Sequence, residues 1–196
     1  METIAYRETT AELLELLKQD SNYQNKALEL LERGESRYVT DAKVNLKNVL
    51  AADQLSEKET ALLALSVAAN NKNSTLTGFF AGLSAEKGAT DQETAEAVAC
   101  ASLLASNNVL YRFRHFTGKE KYTQLPARIK MNIMMKPVTG KEFFELMSLA
   151  ISAVNGCEMC VNAHEESVLK LGSTEERIFE AVRLASVISS LDRVIY

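Results

Sequence analysis

The segment "NGCEMCVNAHEES" (155–167) holds the residues most able to do chemistry in this chain. Cys157 and Cys160 are three positions apart and His164 follows four later, although 196 residues contain only three cysteines and two histidines. On one helix the two thiols would be neighbours, and Cys160 and His164 would lie on the same face one turn apart. An imidazole so placed could take and return a thiol proton, as an activated thiolate nucleophile requires.

The expected position of Cys157 also bears on reactivity. The Asn155-Gly156 pair predicts the end of a helix, so Cys157 would lie at or near the start of the next one. Free N–H groups and the helix dipole lower a thiol pKa there, which by itself would make Cys157 the nucleophile. The histidine at the fourth position after Cys160 favours the second thiol instead. Glu145, on the preceding helix, could orient His164 and stabilise its cation.

Three interpretations of the cluster compete. Both cysteines could be small core residues, with the histidine on the surface. The cluster could hold zinc, with Cys100, His115 or Glu145 as fourth ligand, although structural zinc usually takes two ligand pairs from separate segments and no second pair exists here. A redox dithiol with a proton relay is the third interpretation, and the combined spacing favours it. We therefore expect no metal site.

An internal duplication supports a chemical role. With an offset of 84 residues, positions 58–111 align with 142–195 without a gap, and twelve of the fifty-four pairs are identical, where about four would be expected at ordinary residue usage. "GATDQETAEAVACAS" (88–102) over "GSTEERIFEAVRLAS" (172–186) is the clearest block. Upstream, "AKVNL" (42–46) resembles "IKMNI" (129–133). We define a first, degenerate repeat at about 42–111 and a second, active repeat at about 129–196.

Each repeat has the signals of about three helices. Four capping-box patterns mark expected helix starts, and each pairs a hydroxyl with a carboxylate three residues later. They are "SEKE" (56–59), "TGKE" (139–142), "TDQE" (90–93) and "STEE" (173–176). Gly88 and Gly172 are expected just beyond helix ends, where a left-handed conformation costs least without a Cβ.

The first repeat serves as an internal control. The positions of Cys157, Cys160 and His164 are occupied there by Asn73, Leu76 and Phe80, and that of Glu145 by Ala61, as the 84-residue offset gives them. The fold signals are present in both repeats, whereas the reactive groups are present in one. The fold therefore does not require these polar residues, which favours function over packing.

Composition predicts an all-α fold. Apolar residues make up 46% and charged residues 24% of the chain, with two prolines and eight glycines, which is typical of a globular helical protein. Amphipathic patterns around Thr10–Lys18 and Gln24–Glu32 predict a helical N-terminal extension at 1–36, outside the duplication. Residues 37–196 would form the duplicated domain.

Bulk properties exclude several function classes. The net charge of −4 gives no electrostatic reason to expect nucleic acid as a partner. We expect neither a signal peptide nor a membrane span, because the N-terminus carries acids and no apolar run approaches eighteen residues. An odd number of cysteines without an export signal is typical of the reducing cytosol, so a cytoplasmic location is expected.

Other potentially reactive residues have structural interpretations. Cys100 lies on an apolar face and is expected to be a buried core thiol. His115 belongs to "YRFRHFTGKEK" (111–121), whose cations and aromatics imitate a nucleic-acid patch, but in an acidic chain an amphipathic connector between the repeats is expected. Met134, Met135 and Met147 are expected to fill the core beside the site, or to line an apolar pocket for an organic peroxide.

The chain also resembles a known family. "NNVLYRFRHF" (107–116), "LPARIKMNI" (125–133) and "FELMSLAISAVNGCEMCVNAHEESVLKLG" (144–172) are similar to the alkyl hydroperoxide reductase D (AhpD)-like proteins of the carboxymuconolactone decarboxylase family. The likeness runs from about Tyr38 to the C-terminus. A glutamate twelve residues before Cys-x-x-Cys and a histidine four after it separate the thiol peroxidases of this family from the decarboxylases, which lack the cysteine pair.

The resemblance implies an AhpD-like fold and an activity. Cys160 matches the peroxidatic thiol that becomes a sulfenic acid, and Cys157 matches the resolving thiol and proton donor. His164 and Glu145 match the proton relay. No bound cofactor is implied; a dithiol such as dihydrolipoamide would restore the thiols, and a peroxiredoxin or lipoylated protein would be the partner. A homo-oligomer, trimer or hexamer, is also implied.

The chain departs from the family pattern at two places. Relatives often carry a histidine between the cysteines, where this chain has Met159, so a relay through that imidazole is absent or supplied elsewhere. Residues 1–36 are longer than the family leads one to expect. The sequence thus predicts an antioxidant alkyl hydroperoxide reductase or disulfide reductase. The alternatives are a non-redox, decarboxylase-like acid–base enzyme and a non-catalytic oligomeric helical module.

Overall fold

The computed structural model describes residues 5–20 and 22–196, and these residues form α-helices and no β-strand. Residues 1–4 and 21 of the predicted extension lie outside the described residues. The helices are α1 (Glu8–Leu16), α2 (Lys26–Arg33), α3 (Tyr38–Leu50), α4 (Glu57–Asn70), α5 (Ser74–Glu86), α6 (Asp91–Thr117), α7 (Glu120–Gln124), α8 (Lys141–Val154), α9 (Glu158–Lys170) and α10 (Glu175–Leu191). The predicted all-α class is confirmed, and none of the described helices is long and apolar enough to cross a membrane.

The duplication is visible in the helices themselves. Helices α4, α5 and α6 each begin 84 residues before α8, α9 and α10; the starting pairs are Glu57 and Lys141, Ser74 and Glu158, Asp91 and Glu175. Helix α6 continues to Thr117, well past the position at which α10 ends. Residues 111–117 of the amphipathic connector expected at 111–121 continue α6 as helix.

The upstream likeness of the two repeats does not extend to secondary structure. Residues 42–46 lie inside α3, whereas 129–131 are irregular and lead into a short 3₁₀ turn at Asn132–Met134. Pro126 and a left-handed Arg128 (φ 52°) precede that segment. Proline disfavours helix in the residue before it, and a left-handed residue interrupts one. This irregular segment leaves open space beside α6 and α9.

Two of the predicted capping boxes are confirmed. Ser56 and Thr90 each accept from the backbone N–H three residues on, and Glu59 and Glu93 each bind back to the N-cap backbone. Gly88 and Gly172 have φ values of 83° and 92° and follow the last turns of α5 and α9. Local sequence chemistry therefore sets the starts of α4 and α6 and the ends of α5 and α9.

The other two capping boxes are wrong. Gly140, not Thr139, is the N-cap of α8, because Thr139 donates its backbone N–H and its hydroxyl to Glu96 on α6, each at 2.7 Å. Before α10 the N-cap is Thr174, which accepts from the Arg177 N–H at 3.2 Å. Ser173 lies one residue too early, and its buried hydroxyl has no hydrogen-bond partner in the described part of the chain.

Helices α4 and α8 form the centre of the molecule. Their apolar residues are buried on all sides, including Leu62, Leu65, Leu146 and Leu149. Helix α4 packs against α5, α6, α8 and α10, and α8 packs against α6, α9 and α10. A helix that is apolar all round is stable only in such a position. Glu145 lies on α8, so this residue of the candidate site is held by a helix in the centre of the core.

The N-terminal extension packs on its own chain. Leu13, Leu17 and Leu28 belong to the same hydrophobic core as the repeats. The Tyr23 hydroxyl donates to the Tyr196 carbonyl at 2.7 Å, and the Asn25 amide donates to the Val194 carbonyl at 2.7 Å. Both predicted helices are present, as α1 and α2. The division of the chain at residue 36 stays a prediction.

Candidate active site

The cysteine pair lies where α8 turns into α9. Helix α8 ends at Val154, Gly156 takes a left-handed conformation (φ 67°), and Cys157 is the N-cap of α9. The Cys157 N–H donates to the Ser152 carbonyl at 3.0 Å, which fixes the turn. The predicted helix break and the position of Cys157 are confirmed. Both thiols thus lie in the first turn of α9, where the dipole favours a thiolate.

The two cysteines are joined as a Cys157–Cys160 disulfide with a Cα–Cα distance of 5.3 Å. Cys157 is fully buried and Cys160 is 6% exposed. The turn before them is held from α6: Arg112 donates to the Asn155 carbonyl, and the Asn155 amide donates to Asn108 Oδ1 at 2.9 Å. The part of α6 that extends beyond the length of α10 therefore positions the cysteine turn.

Glu145 and His164 form a close pair across α8 and α9. The distance between His164 Nδ1 and Glu145 Oε2 is 2.7 Å, and the side chains are 13% and 7% exposed. Burial acts to raise the pKa of Glu145, but the hydrogen bond and charge of His164, aided by Lys141, outweigh burial and hold that pKa below its ordinary value. A carboxylate can only accept, so Nδ1 carries the proton and Nε2 is left to exchange one.

Lys141 supports this pair from the first turn of α8. Its ammonium lies 3.3 Å from Glu145 Oε1 and donates to the Met134 carbonyl at 2.6 Å. It thereby links the carboxylate to the irregular segment that borders the site. The sequence had given no reason to select Lys141.

A pocket of about 400 Å³ opens beside Cys160 and His164. Its wall is mainly apolar and is built by α6, the irregular segment and α9, through Leu104, Tyr111, Met131, Met134 and Met159. Of the three methionines expected in the core or the pocket wall, Met134 lines the pocket and Met147 is fully buried in the core. The prediction is wrong for Met135, which is 76% exposed. Cys160 and His164 can therefore meet an apolar ligand on one surface.

Comparison with known proteins agrees with this arrangement. The model of the carboxymuconolactone decarboxylase family matches residues 121–196, which include α8, α9 and α10. A protein named alkyl hydroperoxide reductase AhpD from Anaeromyxobacter dehalogenans (strain 2CP-1) is 42% identical over 149 residues, covering 76% of this chain and 79% of that one.

The chain belongs to the carboxymuconolactone decarboxylase family, among its AhpD-like members.

A protein of the same name from Coxiella burnetii (strain Dugway 5J108-111) is 38% identical over 162 residues, covering 80% of this chain and 90% of that one. The resemblance that the cysteine motif had suggested is thus confirmed. The named relatives align with more of the chain than the family model matches, so the likeness includes residues well upstream of the second repeat.

In the first repeat, packed apolar side chains occupy the positions that correspond to the active site. Leu76 and Phe80, at the positions of Cys160 and His164, are fully buried on α5. Asn73, at the position of Cys157, is the N-cap of α5 and accepts from the Leu76 N–H at 2.9 Å. Helices α5 and α9 therefore begin at equivalent N-cap positions. The first repeat has packed apolar residues where the second has cysteines and a pocket.

Sequence reasoning missed Asn107. This residue lies in the pocket wall on α6, is 5% exposed, and donates its amide to Met131 Sδ at 3.2 Å. Its Oδ1 has no hydrogen-bond partner among residues 5–20 and 22–196. The signal was available, because the 84-residue offset pairs Asn107 with Leu191, a polar residue in one repeat against an apolar one in the other.

The remaining candidates lie apart from the pocket. Cys100 is fully buried in the core, as predicted, and burial raises the pKa of its thiol to about 12. His115 lies near the end of α6, with Nε2 3.4 Å from Glu158 Oε2. Arg112 and Arg114 donate to carbonyls of Asn155 and Leu125, so these cations serve the fold.

Metal binding has little support from the geometry. Within the described parts of the chain, no group of three or more His, Cys, Asp or Glu side chains is placed to hold a metal ion. His164 Nδ1 is hydrogen-bonded to Glu145. His115 contacts Glu158 and not the cysteines.

Proposed function

We propose that this chain reduces small organic hydroperoxides with a Cys157–Cys160 dithiol, as an alkyl hydroperoxide reductase. The chain is an oxidoreductase of the AhpD-like type. One observation carries the finer proposal: Cys160 and His164 lie in the wall of the same apolar pocket, and His164 is held by a buried carboxylate. A thiol, a base and an apolar binding surface are the parts such a reaction needs.

In the first step, His164 Nε2 takes the proton of the Cys160 thiol. The thiolate attacks the terminal oxygen of the hydroperoxide; the O–O bond breaks, an S–O bond forms, and the alkoxide takes a proton from the imidazolium. Cys160 becomes a sulfenic acid and the peroxide becomes an alcohol. Glu145 stabilises the transient charge on His164, as an orienting carboxylate does in other acid–base pairs.

In the second step, Cys157 resolves the sulfenic acid. Its sulfur displaces the hydroxyl as water and forms the Cys157–Cys160 disulfide, which is the state that the structure contains. An external dithiol then reduces the disulfide by exchange, through a mixed disulfide. We propose dihydrolipoamide, free or on a lipoylated protein, as this reductant, and a peroxiredoxin as a further partner. Cytoplasmic location and assembly into trimers or hexamers belong to the same proposal.

A decarboxylase-like acid–base reaction is less well supported. Such an enzyme would need a cation to hold its carboxylate substrate. Lysine and arginine are absent from the pocket wall in the described residues, and Lys141 is already engaged by Glu145 and Met134. A purely structural helical module is also less well supported, since it would have no use for a buried glutamate–histidine pair beside two cysteines.

Thiol titration tests the proposed function. The fully reduced protein is mixed with one equivalent of cumene hydroperoxide, free thiols are counted before and after, and peptide mass locates the new bond. Loss of two thiols, joined as Cys157–Cys160, supports the proposal. Two thiols that stay reduced and unreactive near neutral pH overturn it.

A further inference from the structure

Asn107, a residue of the pocket wall, has a side-chain acceptor without a hydrogen-bond partner among the described residues. Its side-chain amide bonds to Met131 Sδ at 3.2 Å, and a thioether can only accept, so the nitrogen faces the sulfur and the oxygen faces elsewhere. That oxygen is buried and has no partner in the described parts of the chain. Buried acceptors are nearly always paired, so this one points to a donor that arrives with a ligand.

The fold itself does not need an amide at this place. Leu191, the equivalent residue on α10 of the second repeat, is 1% exposed and packs in the hydrophobic core. Asn107 belongs to the first repeat and Cys160 and His164 to the second, but each of the three has an apolar residue at the equivalent position of the other repeat. These three polar residues lie in the wall of one pocket.

The irregular segment can give a ligand access to the amide. Met131, the partner of Asn107, is itself part of the pocket wall and is only partly buried. Its unbranched side chain can shift without moving the backbone. The Asn107 Nδ2 bond to Met131 is to a weak acceptor, so the amide can turn its oxygen towards a ligand hydroxyl at little cost.

We propose that Asn107 Oδ1 accepts the hydrogen bond of the hydroperoxide O–H and keeps that hydroxyl as it is transferred to Cys160. This inference rests on the proposed function. The hydroperoxide has one donor, its O–H, on the oxygen that the thiolate attacks. When the O–O bond breaks and the S–O bond forms, the same hydroxyl becomes the sulfenic acid, while the alkoxide leaves with a proton from His164. Cys160 loses two electrons and the peroxide gains them.

Asn107→Leu in a Cys157→Ser background tests the assignment. Dimedone traps the sulfenic acid, and mass spectrometry gives its rate of formation with cumene hydroperoxide and with hydrogen peroxide. Both oxidants carry the hydroxyl, so we expect a fall of about tenfold with each, the effect of one lost hydrogen bond of ordinary strength. The same change at an exposed asparagine of α3, Asn45→Leu, should keep the parent rate. Asn107→Leu should not lower the melting temperature, because the substitution removes an unpaired buried oxygen.

The outcomes separate the two proposals. A parent protein that gives no dimedone adduct with either oxidant overturns the proposed function and this inference with it. A reactive parent with an equally fast Asn107→Leu variant overturns the inference alone. Slowing with cumene hydroperoxide but not with hydrogen peroxide would mean that Asn107 only shapes the pocket, and this also overturns the hydrogen-bond role.

Discussion

Glu145 on α8 and His164 on α9 lie in separate helices, yet the carboxylate and the imidazole Nδ1 are 2.7 Å apart. Residues 143–152 of α8 are buried, and α9 begins just after the tight turn at Gly156. The pair is therefore positioned by two rigid elements whose connection also carries Cys157. An imidazole held at Nδ1 must present Nε2 elsewhere, and His164 lies in the pocket wall beside Cys160.

Loss of the imidazole should slow the reaction of Cys160 with peroxide. We expect His164→Ala to lower the rate of sulfenic acid formation by about 10²-fold, because general base catalysis by a positioned side chain contributes at least that much. Glu145→Gln should lower it less, since the glutamine oxygen can still accept from Nδ1. Glu166→Gln, an exposed change on the same helix, is the control. Equal rates in His164→Ala and Glu166→Gln would remove His164 from the mechanism.

The same pair should make stability depend on pH. The folded-state pKa of Glu145 lies below its ordinary value of 4.5, so its ionised form stabilises the fold at higher pH, and this stability is lost as pH falls through the folded pKa. Glu145→Gln should cost about 1–2 kcal/mol at neutral pH. The difference from the parent, measured by urea unfolding, should shrink from pH 7 to below pH 4. A difference that does not change with pH would contradict this assignment.

The three cysteines should behave differently. Cys160→Ser should abolish peroxide consumption, while Cys157→Ser should react once and accumulate a sulfenic acid that cannot be resolved. Cys100→Ala should have the parent's activity, because the Cys100 thiol is fully buried and its pKa is about 12. In the reduced native protein, iodoacetamide should leave Cys100 unmodified until denaturant is added. Full activity of Cys160→Ser would refute the role assigned to that residue.

Local signals predicted much of this molecule, and long-range contacts account for the rest. Ser56 and Thr90 cap their helices because their partners lie three residues away. Thr139 does not, because Glu96, on a different helix, takes its N–H and hydroxyl. The pairing of Asn107 with Leu191 is visible in the sequence, but its place in the pocket is not, because the pocket is assembled from α6, the segment around Met131 and α9. The cysteine turn was predictable, since its residues are adjacent.

Arg177 should be important for stability. It binds Glu59 at 2.6 Å and Glu142 at 3.1 Å, and its side chain is 17% exposed. Burial acts to lower the pKa of Arg177, but the two carboxylates outweigh it and raise that pKa. Arg177→Met would leave Glu59 and Glu142 without this shared cation, and we expect a loss of about 2–3 kcal/mol in urea unfolding.

Lys170→Met is the matched control for Arg177→Met. Lys170 pairs with Glu166 on the surface, where both side chains are more than half exposed. Such pairs are screened by solvent, so the unfolding midpoint should hardly change. If the two variants unfold at the same urea concentration, the Arg177 network is no more than a surface contact.

Glu96 and Glu180 occupy equivalent positions on α6 and α10, and each reaches into the loop before the central helix of the other repeat. Glu96 accepts from the Val138 and Thr139 N–H groups at 2.7 Å each, whereas Glu180 accepts from the Gln54 N–H at 3.4 Å. Glu96→Ala should therefore cost about 2 kcal/mol, and Glu180→Ala should cost less. Because Glu96 holds the segment that leads into α8, its loss should also slow sulfenic acid formation, which Glu180→Ala should spare. Equal effects of the two variants on peroxide rate would show that Glu96 acts on the fold and not on the site.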